Sequence, residues 1–226
     1  MTKEMTSGKP YKLILSFAIP LILGNVFQQL YNMVDTVIVG KFVGVNALAG
    51  VGSTGAINFL VIGFALGICS GFSIMIAQRF GAGDYSGMRK FIANSIYLCI
   101  AVAVILTAVT MLLTKPILTV MNTPKEIYDY AYNYIIIIFA GISATMFYNI
   151  LSGILRAVGD SRTPLIFLGV SSVLNVGLDL LCIIVFKMGV AGAGIATVIS
   201  QAISAFLCLI YIRKNYDILR FEHDEF

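Results

Sequence analysis

Leu13 to Val39 read LILSFAIPLILGNVFQQLYNMVDTVIV, a run of 27 residues in which Asp35 is the only charged side chain. About 20 apolar residues in a helix cross the hydrocarbon core of a bilayer, so this run is long enough to span a membrane. Strands of a membrane barrel would instead alternate in segments of about ten residues, and this run does not alternate. The segment therefore predicts a transmembrane helix.

The rest of the chain repeats this pattern in five further apolar windows of 22 to 24 residues: 54–77, 91–114, 132–155, 165–186 and 190–212. The composition agrees, with 59% hydrophobic and 12% charged residues and a mean hydropathy of +0.94. A water-soluble domain carries about twice that share of charge. The sequence therefore predicts an all-α, polytopic membrane protein with six transmembrane helices in residues 13–212, between tails 1–12 and 213–226.

The 15 Lys and Arg residues predict the orientation. Eleven lie in the two tails and in the second and fourth connections, and four lie in the other three connections. Because Lys and Arg collect on the cytoplasmic side, both termini are expected in the cytoplasm, in a multi-pass protein of the plasma (inner) membrane. A net charge of +4 without a basic patch excludes a nucleic-acid-binding protein.

Residue types that support enzymatic chemistry are scarce or isolated. The four Cys residues lie in four different windows, and the single His, His223, lies in the polar tail. Metal and redox sites need closely spaced ligands, and the sequence has no glycine-rich phosphate loop. We therefore expect neither an enzyme nor a cofactor.

Only two charged residues lie well inside the predicted spans, Asp35 and Asp179. A carboxylate at the bilayer centre costs about 2.5 to 3.5 kcal/mol, so it usually faces a cavity and has a function. Asp35 lies six residues before Lys41, and Asp179 lies eight before Lys187. At 1.5 Å per residue both are roughly 9 to 12 Å from the outer ends of their helices, and Thr197 reaches the same layer.

Polar residues recur on one helix face in three spans, which we expect to converge on a shared interior. These stripes are Asn25, Gln28, Asn32 and Asp35; Asn175 and Asp179; and Thr197, Gln201 and Ser204. Amides and hydroxyls alone would suit helix packing. Two carboxyl groups in one apolar layer instead indicate a site for a coupling ion, either a shared proton or a small cation such as Na⁺ held by oxygen ligands.

Several strings together resemble the multidrug and toxic compound extrusion (MATE) family. They are MVDTVIVGKFVGVNALAGVG (33–52), AQRFGAGD (77–84), GILRAVGDSRTP (153–164), LNVGLD (174–179) and GVAGAGIATVIS (189–200). The resemblance implies one six-helix lobe of an antiporter with twelve spans, which exports small organic, often cationic, compounds in exchange for H⁺ or Na⁺. It also implies a cation site at Asp35, Asn175, Asp179 and Thr197, with Tyr134 and Asn149 in the surrounding network.

The resemblance covers the amino-terminal lobe alone, so a second lobe is expected as a partner, besides substrate and membrane lipids. The chain could be a truncated fragment, a lobe cut out for study, or a half-transporter that pairs with a second copy of itself. We favour truncation. The alternative functions are a channel, a non-transporting membrane subunit, or a lipid-linked saccharide flippase of the wider superfamily. The absence of Lys or Arg deep in any span argues against the flippase.

Overall fold

The computed structural model describes residues 10–219. The remaining tail residues, among them Lys3, Lys9, Arg220 and His223, lie outside the described residues. Eight α-helices follow one another: α1 Pro10–Phe42, α2 Val45–Ser53, α3 Gly55–Gly81, α4 Tyr85–Val120, α5 Lys125–Ala140, α6 Ile142–Ala157, α7 Arg162–Leu180 and α8 Val190–Asn215. A π-helical turn, Leu181–Val185, extends α7, and a 3-10 turn, Asp217–Leu219, follows α8.

The helices confirm the predicted all-α membrane architecture. Within residues 10–219, five helices are long and apolar enough to cross a membrane, and the pair α5 and α6 makes a sixth span if it is counted as one. Large apolar side chains point outward, including Phe59, Leu112 and Val120, which are 82%, 79% and 81% exposed. Such a surface is stable in lipid and would aggregate in water.

The predicted fourth span, 132–155, is not one straight helix. The chain bends by 46° between α5 and α6, at Gly141. Val198 of α8 lies so close to Gly141 that a β-carbon at this position would overlap its side chain. Because Gly141 has no side chain, α8 packs closely against the backbone at the bend. Sequence periodicity within a single span does not reveal such a bend.

Two further local features depart from simple spans. Helix α2 occupies the connection between the first two predicted spans. The π-helical turn begins two residues after Asp179, and the backbone of Phe186 donates to the Leu181 carbonyl at 3.0 Å. Gly192 of α8 lies against Cys182 of this turn. Widened turns of this kind are common beside functional residues.

Helix α6 lies at the centre of the bundle and packs on α3, α4 and α8. These four helices and the end of α5 build the main apolar core, around Phe139, Met146 and Leu155. A smaller cluster closes the opposite end, where Val39, Tyr134 and Val190 join α1, α5 and α8. Helix α1 packs mainly on α7 and α2, so it lies at the edge of the lobe.

Candidate cation site

Asp35 of α1 and Asp179 of α7 face each other inside the lobe. They are 6% and 0% exposed, and their carboxyl groups lie within hydrogen-bonding range of one another. Within residues 10–219, neither carboxyl group has a Lys or Arg partner. Two carboxylates in contact repel each other, and a shared proton or a bound cation would remove that repulsion.

Asn175 joins this pair to α8. It lies one helical turn before Asp179 and is 1% exposed. With its amide nitrogen facing the acid, Asn175 donates to Asp179 Oδ2 at 3.3 Å and accepts from the Thr197 backbone N–H at 3.3 Å. The amide also lies 3.4 Å from Thr197 Oγ1. The four residues that the sequence selected therefore lie together, held by three helices.

Two tyrosines enclose the acids. Tyr31 of α1 lies near Gln201 and Thr197 of α8, and it interacts electrostatically with both carboxyl groups. Tyr134 of α5 is 8% exposed and interacts electrostatically with the same acids and with Tyr31. We call these residues the carboxyl site: Tyr31, Asp35, Tyr134, Asn175, Asp179, Thr197 and Gln201.

Buried oxygen atoms in this site lack hydrogen-bond partners. Asp35 Oδ1, Asp179 Oδ1 and Gln201 Oε1 are all buried without a donor. Such atoms cost free energy unless a proton or a cation satisfies them. Carboxylate, amide and hydroxyl oxygens are hard ligands that suit H⁺ or a small cation, and they offer nothing that a soft metal would prefer.

The other predicted residues lie elsewhere. Asn32 is exposed and donates to Gln29 Oε1 at 3.3 Å, and Gln28 is also exposed. Gln28 and Asn149 line a separate cavity of about 300 Å³ between α1, α3, α6 and α7. The Asn149 amide donates to the Thr145 carbonyl at 2.8 Å. Of the stripe on α1, only the Asp35 end therefore belongs to the carboxyl site.

Sequence reasoning missed Tyr31 and left Gln201 out of the proposed site. Both carried a usable signal, because Tyr31 lies four residues before Asp35 and Gln201 lies four residues after Thr197. Residues four apart share a helix face. Tyr31 is easily counted with the apolar aromatic residues of a membrane span, although its hydroxyl is polar.

Comparisons with known proteins identify the family of this chain. The family model MatE matches residues 20–181. A probable multidrug resistance protein of Bacillus subtilis, YpnP, is 33% identical over 94% of this chain and 48% of its own length. A probable multidrug resistance protein of Thermotoga maritima, NorM, is 33% identical over 90% of this chain and 45% of its own length.

Solved structures give the same result. A multidrug resistance MATE family transporter in an outward-facing conformation superposes with a TM-score of 0.86 at 30% identity, over 93% of this chain and 46% of that protein. A MATE protein in complex with MaL6 gives 0.90 at 28% identity, over 100% of this chain and 51% of that one. The chain spans about half the length of the relatives it matches. It belongs to the MatE family of multidrug resistance transporters and corresponds to one of their lobes.

Proposed function

We propose that this chain is the cation-binding lobe of an antiporter that exports small organic, often cationic, compounds in exchange for H⁺ or Na⁺. The observation that carries the proposal is the buried contact between Asp35 and Asp179, which have no basic partner among residues 10–219. Purely structural polar contacts would not need two acids in one apolar layer. Membership of a family of multidrug resistance transporters supports the export of organic compounds.

The coupling follows from the charge of the site. With no cation bound, the acid pair favours uptake of H⁺ or Na⁺. A bound cation removes the repulsion between the two carboxylates. Asp35 and Asp179 lie on different helices, so occupancy would change how α1 packs on α7. Alternating access requires one half of a transporter to move against another, so we propose that a second lobe, or a second copy of this chain, completes the transport path.

Ion binding can be tested on the 226-residue chain in detergent. Radioactive sodium binding and the infrared signal of protonated carboxyl groups report the two candidate ions. We expect one of them in the wild type and neither in Asp179→Asn. Asp129→Asn, which changes an exposed acid on α5, should bind as the wild type does. Unchanged ion binding in Asp179→Asn would contradict the site.

Flux measurements separate the antiporter from a channel. In vesicles that supply a second lobe, saturable efflux of a fluorescent organic cation that needs an H⁺ or Na⁺ gradient supports the antiporter. Gradient-independent, unsaturable conductance supports a channel. The genomic sequence downstream of Phe226 tests whether a second lobe is encoded in the same gene. Six further apolar spans there would identify this chain as a fragment of a longer transporter.

A further inference from the structure

The cavity between α1, α3, α6 and α7 has a positive charge in its wall. Arg156 lines it, together with Asn25, Gln28, Asn149, Ser152 and Ser161. Arg156 lies one residue before the end of α6, and Ser161 immediately precedes α7. Arg156 lies near the end of α6, Arg162 begins α7, and Arg213 lies near the end of α8, so this end of the bundle is basic. We therefore call this space the basic-end cavity.

Arg156 has no ion-pair or hydrogen-bond partner for its guanidinium among residues 10–219. The nearest acid along the chain, Asp160, is engaged elsewhere. Its carboxylate accepts from the Thr163 backbone at 3.0 Å and from the Tyr216 hydroxyl at 2.9 Å. The groups that interact electrostatically with Arg156 are Tyr148, Cys208 and Cys69, which carry no charge at neutral pH.

A half-buried guanidinium beside apolar helices is stabilised most by an anion that accepts two hydrogen bonds from its N–H groups. The cavity offers neighbouring donors for such an anion, because the side chains of Asn25, Gln28 and Ser70 also line it. Its volume of about 300 Å³ is at the small end for ligand sites. It suits a phosphate group with a short substituent better than a large drug.

We propose that the basic-end cavity binds a phosphate group through Arg156, as a site separate from the carboxyl site. Pro164 in the cavity wall precedes Asp179 by fifteen residues of α7, which separates the two sites by about 22 Å along the helix. The phosphate comes either from a lipid headgroup, since the cavity lies beside the edge helix α1, or from a soluble phosphate ester.

Native mass spectrometry of the 226-residue chain tests the proposal. Phosphatidylglycerol is titrated into the detergent-solubilised protein, with and without glycerol 3-phosphate as a soluble competitor. The variants are Arg156→Gln, Arg156→Lys, and Ser70→Met, which fills the cavity without removing the charge. Arg162→Gln is the matched control, because Arg162 is an exposed arginine at the same end and does not line the cavity.

We expect Arg156→Gln to weaken phosphatidylglycerol binding at least tenfold, with Arg156→Lys intermediate and Arg162→Gln unchanged. Ser70→Met should also weaken phosphatidylglycerol binding. This variant tests the cavity independently if Arg156→Gln fails to fold. Displacement of the lipid by glycerol 3-phosphate shows that the site also accepts soluble phosphate esters, and retention of the lipid despite the competitor restricts the site to lipid headgroups. Equal binding by the wild type, Arg156→Gln and Ser70→Met overturns the proposal, as does no binding of either probe to the wild type.

Discussion

The carboxyl site and the basic-end cavity share two helices, α1 and α7, and have opposite character. Helices α1 and α7 contribute Asp35 and Asp179 at one end, and Asn25 and Pro164 at the other. At the acidic end, the small apolar cluster of α1, α2, α5 and α8 closes over the acids. At the basic end, the part of the chain that the structure describes places no such cover over α1, and Gln28 is exposed. Burial, and not helix identity, therefore distinguishes the polar residues of the proposed ion site from the others on the same helices.

The largest expected effect is on cation affinity, and it compares two residues of α1, one buried and one exposed. Replacing Asp35 by Asn should lower cation affinity about a hundredfold, or roughly 2.7 kcal/mol, because the site loses one of two buried charges. Asn32→Ala is the control on the same stripe and should change affinity less than twofold, since Asn32 is exposed. Equilibrium sodium or proton binding measures both. Equal losses in the two variants would show that the whole stripe binds the ion.

The second effect concerns the bend between α5, which carries Tyr134, and α6, which carries Arg156. Gly141→Ala should lower the free energy of unfolding by about 1 to 3 kcal/mol, because the new methyl group overlaps Val198. Gly63→Ala is the control, since nothing lies within 4 Å of a β-carbon there. Unfolding in mixed micelles titrated with a denaturing detergent gives both values. Equal values would show that close packing of Val198 on Gly141 does not contribute to stability.

A third effect tests how the basic end is held together. Tyr216 is buried and donates to Asp160 Oδ2 at 2.9 Å, which ties the end of α8 to the turn before α7. Tyr216→Phe should cost about 1 kcal/mol of unfolding free energy. Tyr211→Phe is the control, because Tyr211 packs on Phe167 by its ring. If Tyr216→Phe lowers the free energy of unfolding no more than Tyr211→Phe does, the hydrogen bond between Tyr216 and Asp160 does not contribute to stability.

The same contact predicts an alkaline dependence. Burial, and next the bond to Asp160, raise the pKa of Tyr216 above its usual value. A raised pKa in the folded state means that this stabilisation is complete below about pH 10, the ordinary value for tyrosine, and is lost as pH rises toward the folded value. Tyr216→Phe should remove this part of the alkaline loss, as followed by circular dichroism against pH.

The smallest effect lies at the turn between α3 and α4. Asp84 caps α4 by accepting from the Gly87 backbone at 2.9 Å, and it pairs with Arg79 at 2.8 Å. These contacts hold the pKa of Asp84 below its usual value. Its stabilisation is complete above about pH 4 and is lost as pH falls through the lower folded value. Asp84→Asn should flatten this acid loss slightly, as followed by circular dichroism against pH.

Much of the site was predictable because helical periodicity places residues on faces. Asn175 and Asp179, four apart, share a face, and depth arithmetic brought Asp35 and Thr197 to the same layer. Periodicity could not separate Asp35 from Asn32 and Gln28 on the same stripe. That separation depends on where α2 and α5 cover α1, which involves residues distant in the chain.

The amino-acid sequence by itself determined the helical membrane fold, because long apolar windows leave the backbone no other partners in lipid. It also determined which acids would be costly to bury. Only the tertiary structure decided that α5 and α6 bend at Gly141, that Tyr31 lies near the acids, and that Arg156 lines a cavity without an acid partner in residues 10–219. These features arise from contacts between helices, whose strength depends on close approach in space and not on spacing along one helix.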